Sequence, residues 1–373
     1  MKAWTYESRG PPSQVLKLRH DIPQLQSSKL KANEVIVKIS HVSLFGPLAQ
    51  LMAVIPHLNN NPWIPDYEFS GTIAGAGAES TLREGDAVFG MIAPKLFLQY
   101  NGVLAEYAVV PLEYVVPKPE SSLFEEAAGL SGGGVTAIGI AERSDLLKVV
   151  YIDKQPRIHS KAEGKRVLVT GGSTGTGLVI LQLIRYLIGP SGTLVTTASP
   201  RNHDTVLKYG ADKVINYKEH PQLHKHLAQN YHSTPFDVII DISGTDPNLY
   251  PNSPTYLQSN GTFVFAGKMA LTHTQAGTGT LSTLSFLFDL VRGVAGWAIS
   301  STLPVVLGGI PRRSFFHSGQ PTWRNLELVR QLVEGGYVKG VVDSVWERED
   351  ALKAYEHVAR GRVCGKVVVK MTD

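Results

Sequence analysis

The stretch that decides the fold is residues 166–177, which read Arg166-Val167-Leu168-Val169-Thr170-Gly171-Gly172-Ser173-Thr174-Gly175-Thr176-Gly177. Val167–Thr170 is a run typical of a buried strand, and the apolar spacing of Leu178–Leu187 predicts a helix directly after the glycines. Glycines let the backbone approach a pyrophosphate closely, and free amides at a helix N-terminus attract its charge. The stretch therefore predicts a dinucleotide-binding turn, although a tight turn without a ligand would have similar glycines. The candidate cofactor-binding residues of this turn are Gly172, Ser173, Thr174, Gly175 and Thr176.

Strand and helix patterns alternate regularly after this turn. Further β-prone, largely apolar runs occur at Thr193–Ala198, Lys213–Tyr217, Phe236–Asp241 and Gly261–Gly267. Continuous apolar strands that alternate with helices are typical of a parallel sheet covered by helices on both faces. We therefore predict an α/β fold with a doubly wound parallel sheet. Gly267, at the end of the fifth strand, joins the candidate cofactor-binding residues.

The two ends of the chain have a different pattern. The first third contains short β-prone runs bounded by turn residues, at Val35–Ile39, Phe69–Ala74 and Ala105–Val110. Short strands around a helix return after Tyr337. Because 373 residues exceed the usual size of a single core, two domains are expected. We predict a β-rich domain at 1–133 and 318–373 and a dinucleotide-binding domain at 134–317.

Two further segments of the sequence lead to separate structural predictions. The polar segment Lys154–Glu163 contains Pro156 and predicts a loop before the first strand of the parallel sheet. The segment Gly293–Ile310 runs eighteen residues without a charge, which is long enough to span a membrane. Glycines, serines and Pro304 interrupt it, so we expect a buried helix pair or a dimer surface. Membrane association is not favoured, although peripheral attachment to a membrane or lipid droplet stays open.

Composition and charge limit the class of protein. Hydrophobic residues make up 43% of the chain and charged residues 18%, which is typical of globular proteins. The formal net charge is +4, with no run of like charges typical of nucleic-acid binding, so no nucleic-acid partner is predicted. The single cysteine, Cys364, excludes an intramolecular disulfide and the usual thiolate zinc site. With no visible secretory signal, we expect a cytoplasmic protein and leave a mitochondrial location open.

The end of the second predicted strand bears on which dinucleotide binds. A site for NAD places Asp or Glu there to bind the ribose 2′-hydroxyl, and that carboxylate would repel a 2′-phosphate. Here the segment is Thr197-Ala198-Ser199-Pro200-Arg201-Asn202, and the first acid is Asp204. Ser199, Arg201 and Asn202 can donate hydrogen bonds to a phosphate, and Arg201 adds its charge. NADPH is therefore favoured, although Ser199-Pro200 would also suit a turn before a helix.

An ordered series of motifs along nearly the whole chain resembles the medium-chain dehydrogenase/reductase superfamily. The motifs are Phe69-Ser70-Gly71, Arg83–Gly90, Ala105-Glu106-Tyr107, Glu126-Ala127-Ala128, Gly210-Ala211-Asp212 and Gly365–Val368. The resemblance implies a GroES-like catalytic domain and a Rossmann domain, with the active site in the cleft between them. It also implies a homodimer through the Rossmann edge and a place for Thr136 beside the nicotinamide.

Zinc-dependent members of that superfamily have a cysteine early in the chain and Gly-His-Glu near the strand at Phe69. This sequence has Ser43 in the region of the first ligand and Asp66-Tyr67-Glu68 at the second, so we expect no catalytic zinc. The resemblance then narrows to quinone oxidoreductases and fungal trans-acting enoyl reductases. In that branch, residues corresponding to Ser199, Asn202 and Tyr217 contact the adenosine 2′-phosphate.

The chain departs from this branch at the position of a tyrosine that could donate a proton. Some members of the branch carry a tyrosine before a proline where this chain has Ile55-Pro56. The candidate catalytic residues are therefore Tyr67 as a proton donor and Ser43 as a hydrogen-bond donor, and for both a purely structural role stays open.

Conjugate reduction needs no metal to polarise a carbonyl, and orientation of the reacting carbons supplies much of the acceleration. We expect an NADPH-dependent reductase of a small-molecule enone, enoyl thioester or quinone. One alternative is an NADPH-binding member of the fold that is regulatory or membrane-peripheral and has no catalytic role. Another is a trans-acting enoyl reductase that partners a polyketide synthase and receives its substrate from a carrier protein.

Overall fold

The computed structural model describes residues 1–55, 61–93, 102–267 and 280–372. The chain divides into two compact units. Unit 1 comprises Met1–Val135, Gln275–Thr283 and Gln320–Asp373, and unit 2 comprises Thr136–Thr274 and Leu284–Gly319. The domain ranges expected from the sequence, 1–133 with 318–373 and 134–317, stay a prediction.

The described residues contain seventeen β-strands and ten α-helices, numbered here in chain order. The strands are β1 (Ala3–Thr5), β2 (Lys17–Arg19), β3 (Glu34–Ser43), β4 (Glu68–Ala76), β5 (Ala87–Met91), β6 (Tyr107–Pro111), β7 (Val115–Pro117), β8 (Leu147–Ile152), β9 (Gln155–Ser160), β10 (Arg166–Thr170), β11 (Thr193–Ala198), β12 (Lys213–Asn216), β13 (Phe236–Asp241), β14 (Leu257–Phe265), β15 (Arg313–Phe316), β16 (Val342–Glu347) and β17 (Lys366–Lys370). The helices are α1 (Pro12–Val15), α2 (Leu48–Val54), α3 (Phe124–Ala128), α4 (Ser131–Arg143), α5 (Gly175–Ile188), α6 (His203–Lys208), α7 (Leu223–Asn230), α8 (Thr280–Thr302), α9 (Trp323–Glu334) and α10 (Ala351–Ala359).

Unit 2 contains a six-stranded sheet in the order β12-β11-β10-β13-β14-β15. Every neighbouring pair in it is parallel. Numbered within the sheet, this order is 3-2-1-4-5-6, which is that of the Rossmann fold. The predicted α/β fold with a doubly wound parallel sheet is therefore confirmed. Its sixth strand, β15, was not predicted.

The strands of unit 2 form because both of their faces are covered. Leu168 of β10, Ile239 of β13 and Phe263 of β14 are fully buried in one core cluster, together with Leu227 of α7. Burying an apolar side chain of this size stabilises the fold by about 1.5–3 kcal/mol. Continuous apolar runs, rather than alternating ones, are the sequence consequence of this double burial.

The predicted loop at Lys154–Glu163 is wrong. Strands β8 and β9 pair as an antiparallel hairpin, and β9 occupies most of the polar segment. The two-residue turn consists of Asp153 and Lys154, with φ values of 50° and 64°. Such turns usually carry Asn-Gly or Asp-Gly because both residues need a positive φ, so Asp-Lys gives no hairpin signal.

The expected buried helix pair at Gly293–Ile310 is also wrong. The segment consists of the last part of α8 and a short 3₁₀ turn at Val305–Leu307. Its side chains are largely exposed, and Val306 reaches 90% exposure. None of the helices in the described ranges is long and apolar enough to cross a membrane. The alternative of a dimer surface stays a prediction.

Unit 1 contains a seven-stranded sheet in the order β16-β17-β3-β4-β5-β7, with β6 paired to β3. The long strand β3 is antiparallel to β4, β6 and β17 and therefore forms the centre of the sheet. Its residues Val35, Val37, Ile39 and Val42 are fully buried. This sheet confirms the β-rich character that the short strand patterns predicted for both ends of the chain.

Candidate functional site

The predicted glycine turn lies between β10 and α5 in unit 2. Gly171 has a φ of 68°, and its amide donates to Oγ1 of Thr197 at 2.9 Å. The amide of Gly172 donates to the carbonyl of the same Thr197 at 3.1 Å. A Cβ at Gly172 would overlap the hydroxyl of Thr196, so only glycine fits against β11 here. The first two glycines therefore hold the turn against the next strand, and their amides are already used.

The helix N-terminus supplies the unused amides. Thr174 caps α5, because its Oγ1 accepts from the amide of Gly177 at 3.0 Å and donates to the carbonyl of Gly171 at 2.9 Å. The amides of Gly175 and Thr176 belong to the first turn and have no acceptor inside the helix. Such amides, aligned with the helix dipole, bind phosphate groups. The half-buried Ser173 precedes them.

A network of hydrogen bonds that the sequence analysis did not predict lies next to the glycine turn. Thr170, at the end of β10, donates its hydroxyl to Oδ1 of Asp241 at 2.5 Å, and Asp241 ends the neighbouring strand β13. Ser243 donates to the same Asp241 oxygen at 3.3 Å. Burial raises the pKa of Asp241, and the Thr170 hydrogen bond partly lowers it again. The pairing of Thr170 with Asp241 in the parallel sheet could not be read from the sequence, since 71 residues separate them.

The residues expected to hold a 2′-phosphate lie at the carboxyl ends of β11 and β12. Ala198 and Asn216 pair across these strands, so Ser199 and Tyr217 follow side by side at the same edge. Ser199 and Asn202 are buried, Arg201 is exposed and Tyr217 is 45% exposed. The structure thus brings together two segments that the sequence had named separately. Their contact with a phosphate stays a prediction.

Gly267 and Thr136 complete the predicted cofactor set. Gly267 follows β14, and a Cβ there would overlap the carbonyl of Ile242, which follows β13. Thr136 lies on α4 and is half-buried. Gly132 and Gly139, four residues before it and three after it, share its helix face and are also half-buried. The helix therefore presents Thr136 on a face where the neighbouring side chains are missing.

The two catalytic candidates lie in unit 1. Ser43 ends β3 and pairs with Glu68 of β4, and its buried Oγ has no hydrogen-bond partner among the described residues. Tyr67 directly precedes Glu68, and its ring centroid lies 5.0 Å from that of Phe45. Burial, with smaller contributions from Glu68 and Asp66, raises the pKa of Tyr67 well above 10. The tyrosine therefore keeps its proton at physiological pH, and its hydroxyl can donate a hydrogen bond.

Glu68 belongs to an ion pair that sequence reasoning also missed. Nζ of Lys366 contacts the two carboxylate oxygens of Glu68 at 2.8 and 3.0 Å. The amide of Gly132 donates to Oε2 at 3.1 Å, and a Cβ at Gly132 would lie 2.5 Å from Oε1. Both charged side chains are almost fully buried. Glu68 therefore anchors the first turn of α4 in unit 1.

Ser43 and Asp66-Tyr67-Glu68 stand where zinc-dependent members have their metal ligands. The described parts of the chain contain no group of three or more His, Cys, Asp or Glu side chains that could hold a metal ion. Asp66 is instead bound to Phe45 and Tyr355. Of the pair Ile55-Pro56, Pro56 lies outside the described residues, and Ile55 is the C-cap that directly follows α2.

Comparison with known proteins agrees with this architecture. The family model described as "Alcohol dehydrogenase GroES-like domain" matches residues 31–120, and the one described as "Zinc-binding dehydrogenase" matches residues 209–369. The trans-enoyl reductase poxH of Penicillium oxalicum is 32% identical over 409 residues, covering 100% of this chain and 98% of that protein. The medium chain reductase pydE of an Acremonium species is 31% identical over 398 residues, covering 100% of this chain and 99% of its own.

Solved structures give the same result. The quinone oxidoreductase from Coxiella burnetii has a TM-score of 0.73 and 25% identity, covering 100% of this chain and 99% of that one. The Escherichia coli quinone oxidoreductase in complex with NADPH has a TM-score of 0.72 and 18% identity, covering 99% of this chain and 100% of that one. This chain therefore belongs to the medium-chain dehydrogenase/reductase superfamily, is similar to its fungal trans-enoyl reductases, and is an oxidoreductase that uses a nicotinamide cofactor.

Proposed function

We propose that this oxidoreductase is an NADPH-dependent, zinc-independent reductase of activated double bonds in enones, enoyl thioesters or quinones. The observation that carries the NADPH preference is the edge formed by Ser199, Arg201, Asn202 and Tyr217. That edge offers hydroxyl, amide and guanidinium donors and no carboxylate between Ser199 and Asn202. A ribose 2′-phosphate needs such donors, whereas a 2′-hydroxyl is usually bound by an acid.

The residues of unit 2 fit a dinucleotide. The amides of Gly175 and Thr176 bind the pyrophosphate at the N-terminus of α5, and Gly172 keeps the turn free of a side chain. Thr170 and Asp241 hold the turn in place through their hydrogen bond. When bound, the reduced nicotinamide supplies the hydride.

The catalytic roles belong to Ser43 and Tyr67 of unit 1. The buried hydroxyl of Ser43 has no partner among the described residues, so it can donate to a substrate oxygen without breaking an existing bond. Tyr67 keeps its proton because burial raises its pKa, which suits a hydrogen-bond donor to an oxygen that gains negative charge. Hydrogen bonds that strengthen as this charge develops lower the barrier to conjugate reduction.

The relatives point to a narrower substrate class. Two of the most similar proteins are named trans-enoyl reductases, and another is a 2-methylene-furan-3-one reductase of Solanum lycopersicum. We therefore propose enoyl thioesters as the first substrates to test, with a carrier protein of a polyketide synthase as the partner. A homodimer is proposed on the same family grounds.

The test measures loss of NADPH absorbance with a panel of enones, quinones, free enoyl thioesters and carrier-bound enoyl thioesters. We expect turnover of at least one class, whereas tight NADPH binding without turnover would favour the non-catalytic alternative. Arg201→Ala should raise KM for NADPH and leave NADH use nearly unchanged. Arg157→Ala, which removes an exposed arginine of β9, is the matched control. Equal effects of Arg201→Ala on both cofactors would refute the 2′-phosphate assignment.

A further inference from the structure

His317 lies in unit 2, outside every motif that the sequence analysis identified. It directly follows β15, the sixth strand of the sheet, and its amide donates to the carbonyl of Phe265 at the end of β14, at 2.9 Å. It therefore lies at the carboxyl edge of the second half of a 3-2-1-4-5-6 sheet. Each half of such a sheet binds one mononucleotide, and the glycine turn belongs to the first half. The second half is left for the nicotinamide nucleotide.

The ring of His317 packs against a glycine on helix α4. A Cβ at Gly139 would lie 2.5 Å from Nε2 of the imidazole, so no larger residue fits there. Gly139 is three residues after Thr136 and shares its helix face. Arg143, one turn further along, donates from Nη1 to the carbonyl of Phe316 at 2.8 Å and joins the helix to the strand end. These contacts hold the backbone of His317 beside α4, and its ring lies against the helix three residues from Thr136.

The imidazole is chemically unused in this arrangement. Its Nε2 is buried and has no hydrogen-bond partner among the described residues. Buried polar atoms without partners are rare in native proteins, and each calls for an explanation such as a functional role or a bound water or ion. Burial, reinforced by the charge of Arg143, lowers the pKa of His317 to about 4, so the ring is neutral at pH 7. A neutral ring can both donate and accept one hydrogen bond, and it does not repel a cationic oxidised nicotinamide.

We propose that His317 binds the carboxamide of the nicotinamide and so orients the ring beside Thr136. A carboxamide carries one acceptor and two donors, which match the two nitrogens of a neutral imidazole. Turning the ring about χ2 would move Nε2 away from Gly139 without breaking a hydrogen bond, because Nε2 has no partner among the described residues. The proposal rests on the proposed nicotinamide cofactor, and it assigns to a side chain of this protein an interaction that the glycine turn does not supply.

The test compares a complete cofactor with a fragment that lacks the nicotinamide. Dissociation constants of NADP⁺ and 2′,5′-ADP are measured by calorimetry for the wild-type protein, His317→Phe and His317→Gln. Loss of one neutral hydrogen bond should raise Kd for NADP⁺ about fivefold in His317→Phe, and the Kd for 2′,5′-ADP should not change. His317→Gln, which keeps a hydrogen-bonding side chain, should lose less. The exposed His232→Phe is the matched control.

Two results would overturn the proposal. If His317→Phe weakens the binding of NADP⁺ and 2′,5′-ADP equally, His317 supports only the fold. If neither dissociation constant changes, His317 does not touch the cofactor. If wild-type protein binds NAD⁺ and not NADP⁺, the proposed NADPH preference fails, and the same comparison of NAD⁺ with ADP-ribose still decides the role of His317. If His317→Phe does not fold, ¹⁵N-histidine spectra of the wild type decide it, because NADP⁺ but not 2′,5′-ADP should shift the imidazole nitrogens of a contacting histidine.

Discussion

Asp66 should make the stability of unit 1 depend on pH. Its carboxyl group is fully buried, Oδ1 accepts from the amide of Phe45 at 2.9 Å, and the hydroxyl of Tyr355 donates to Oδ2. Burial raises the pKa of Asp66 from 3.8 to about 7, although these two hydrogen bonds lower it. The acid is therefore partly ionised inside the fold near pH 7.

The size of the effect follows from the difference between the pKa of Asp66 in the folded protein and its pKa in the unfolded protein. A carboxyl group whose pKa is raised by folding holds its proton more tightly in the fold, so its contribution is complete below pH 3.8 and is lost as pH rises through about 7. At about 1.4 kcal/mol per pH unit, the whole loss is about 4 kcal/mol, and about 2.5 kcal/mol of it falls between pH 5 and pH 8. Asp66→Asn removes this ionisation and keeps a residue type that tolerates the left-handed backbone at φ 62°.

The assay is urea unfolding of the wild-type and Asp66→Asn proteins at pH 5 and pH 8, followed by tryptophan fluorescence. The free energy of unfolding of the variant relative to wild type should rise by about 2.5 kcal/mol between the two pH values. Asp153→Asn is the matched control, because Asp153 also has a left-handed backbone, at φ 50°, but is exposed. Parallel changes in the wild type and Asp66→Asn would refute the reasoning.

Three further predictions follow from close packing and buried charge. Gly172→Ala should weaken NADPH binding and cost about 1–3 kcal/mol in urea unfolding, since its Cβ overlaps the hydroxyl of Thr196. Lys366→Met should lower the free energy of unfolding by about 3–5 kcal/mol, because it leaves the buried Glu68 without its ion-pair partner. Adding Glu68→Gln to this variant should restore most of the lost stability. A double variant that is no more stable than Lys366→Met alone would contradict this prediction. Tyr67→Phe should lower kcat for an enone with little change in NADPH affinity, and unchanged turnover would remove Tyr67 from the mechanism.

The parallel sheet could be predicted because its strands are buried on both faces. The limits expected for β11 and β13 agree with the structure, since both strands are β-prone runs of six residues that end at turns. The sixth strand was missed because it has four residues, of which Arg313 is exposed and only Phe315 is buried. A short strand at the edge of a sheet carries too few apolar positions to show a pattern.

The candidate site could be predicted only where its residues are neighbours in the sequence. The glycine turn and the segment from Ser199 to Asn202 are local, and their chemistry follows from residue type and spacing. The bond between Thr170 and Asp241, the ion pair of Glu68 with Lys366 and the packing of His317 on Gly139 join residues far apart in the chain. Such contacts depend on strand order and register, which a single sequence does not specify.

The glycine turn shows how packing changes the interpretation of a motif. The sequence indicated that the glycines let the backbone approach a pyrophosphate, yet the amides of Gly171 and Gly172 both donate to Thr197. The missing side chain of Gly172 lets β11 approach the turn, because a Cβ there would overlap the hydroxyl of Thr196. The phosphate binding that we propose would therefore depend on the amides of Gly175 and Thr176, which any residue except proline could supply. The requirement for glycine at position 172 comes instead from the neighbouring strand. A substitution at Gly172 would thus weaken cofactor binding through strand packing, with the phosphate-binding amides themselves unchanged.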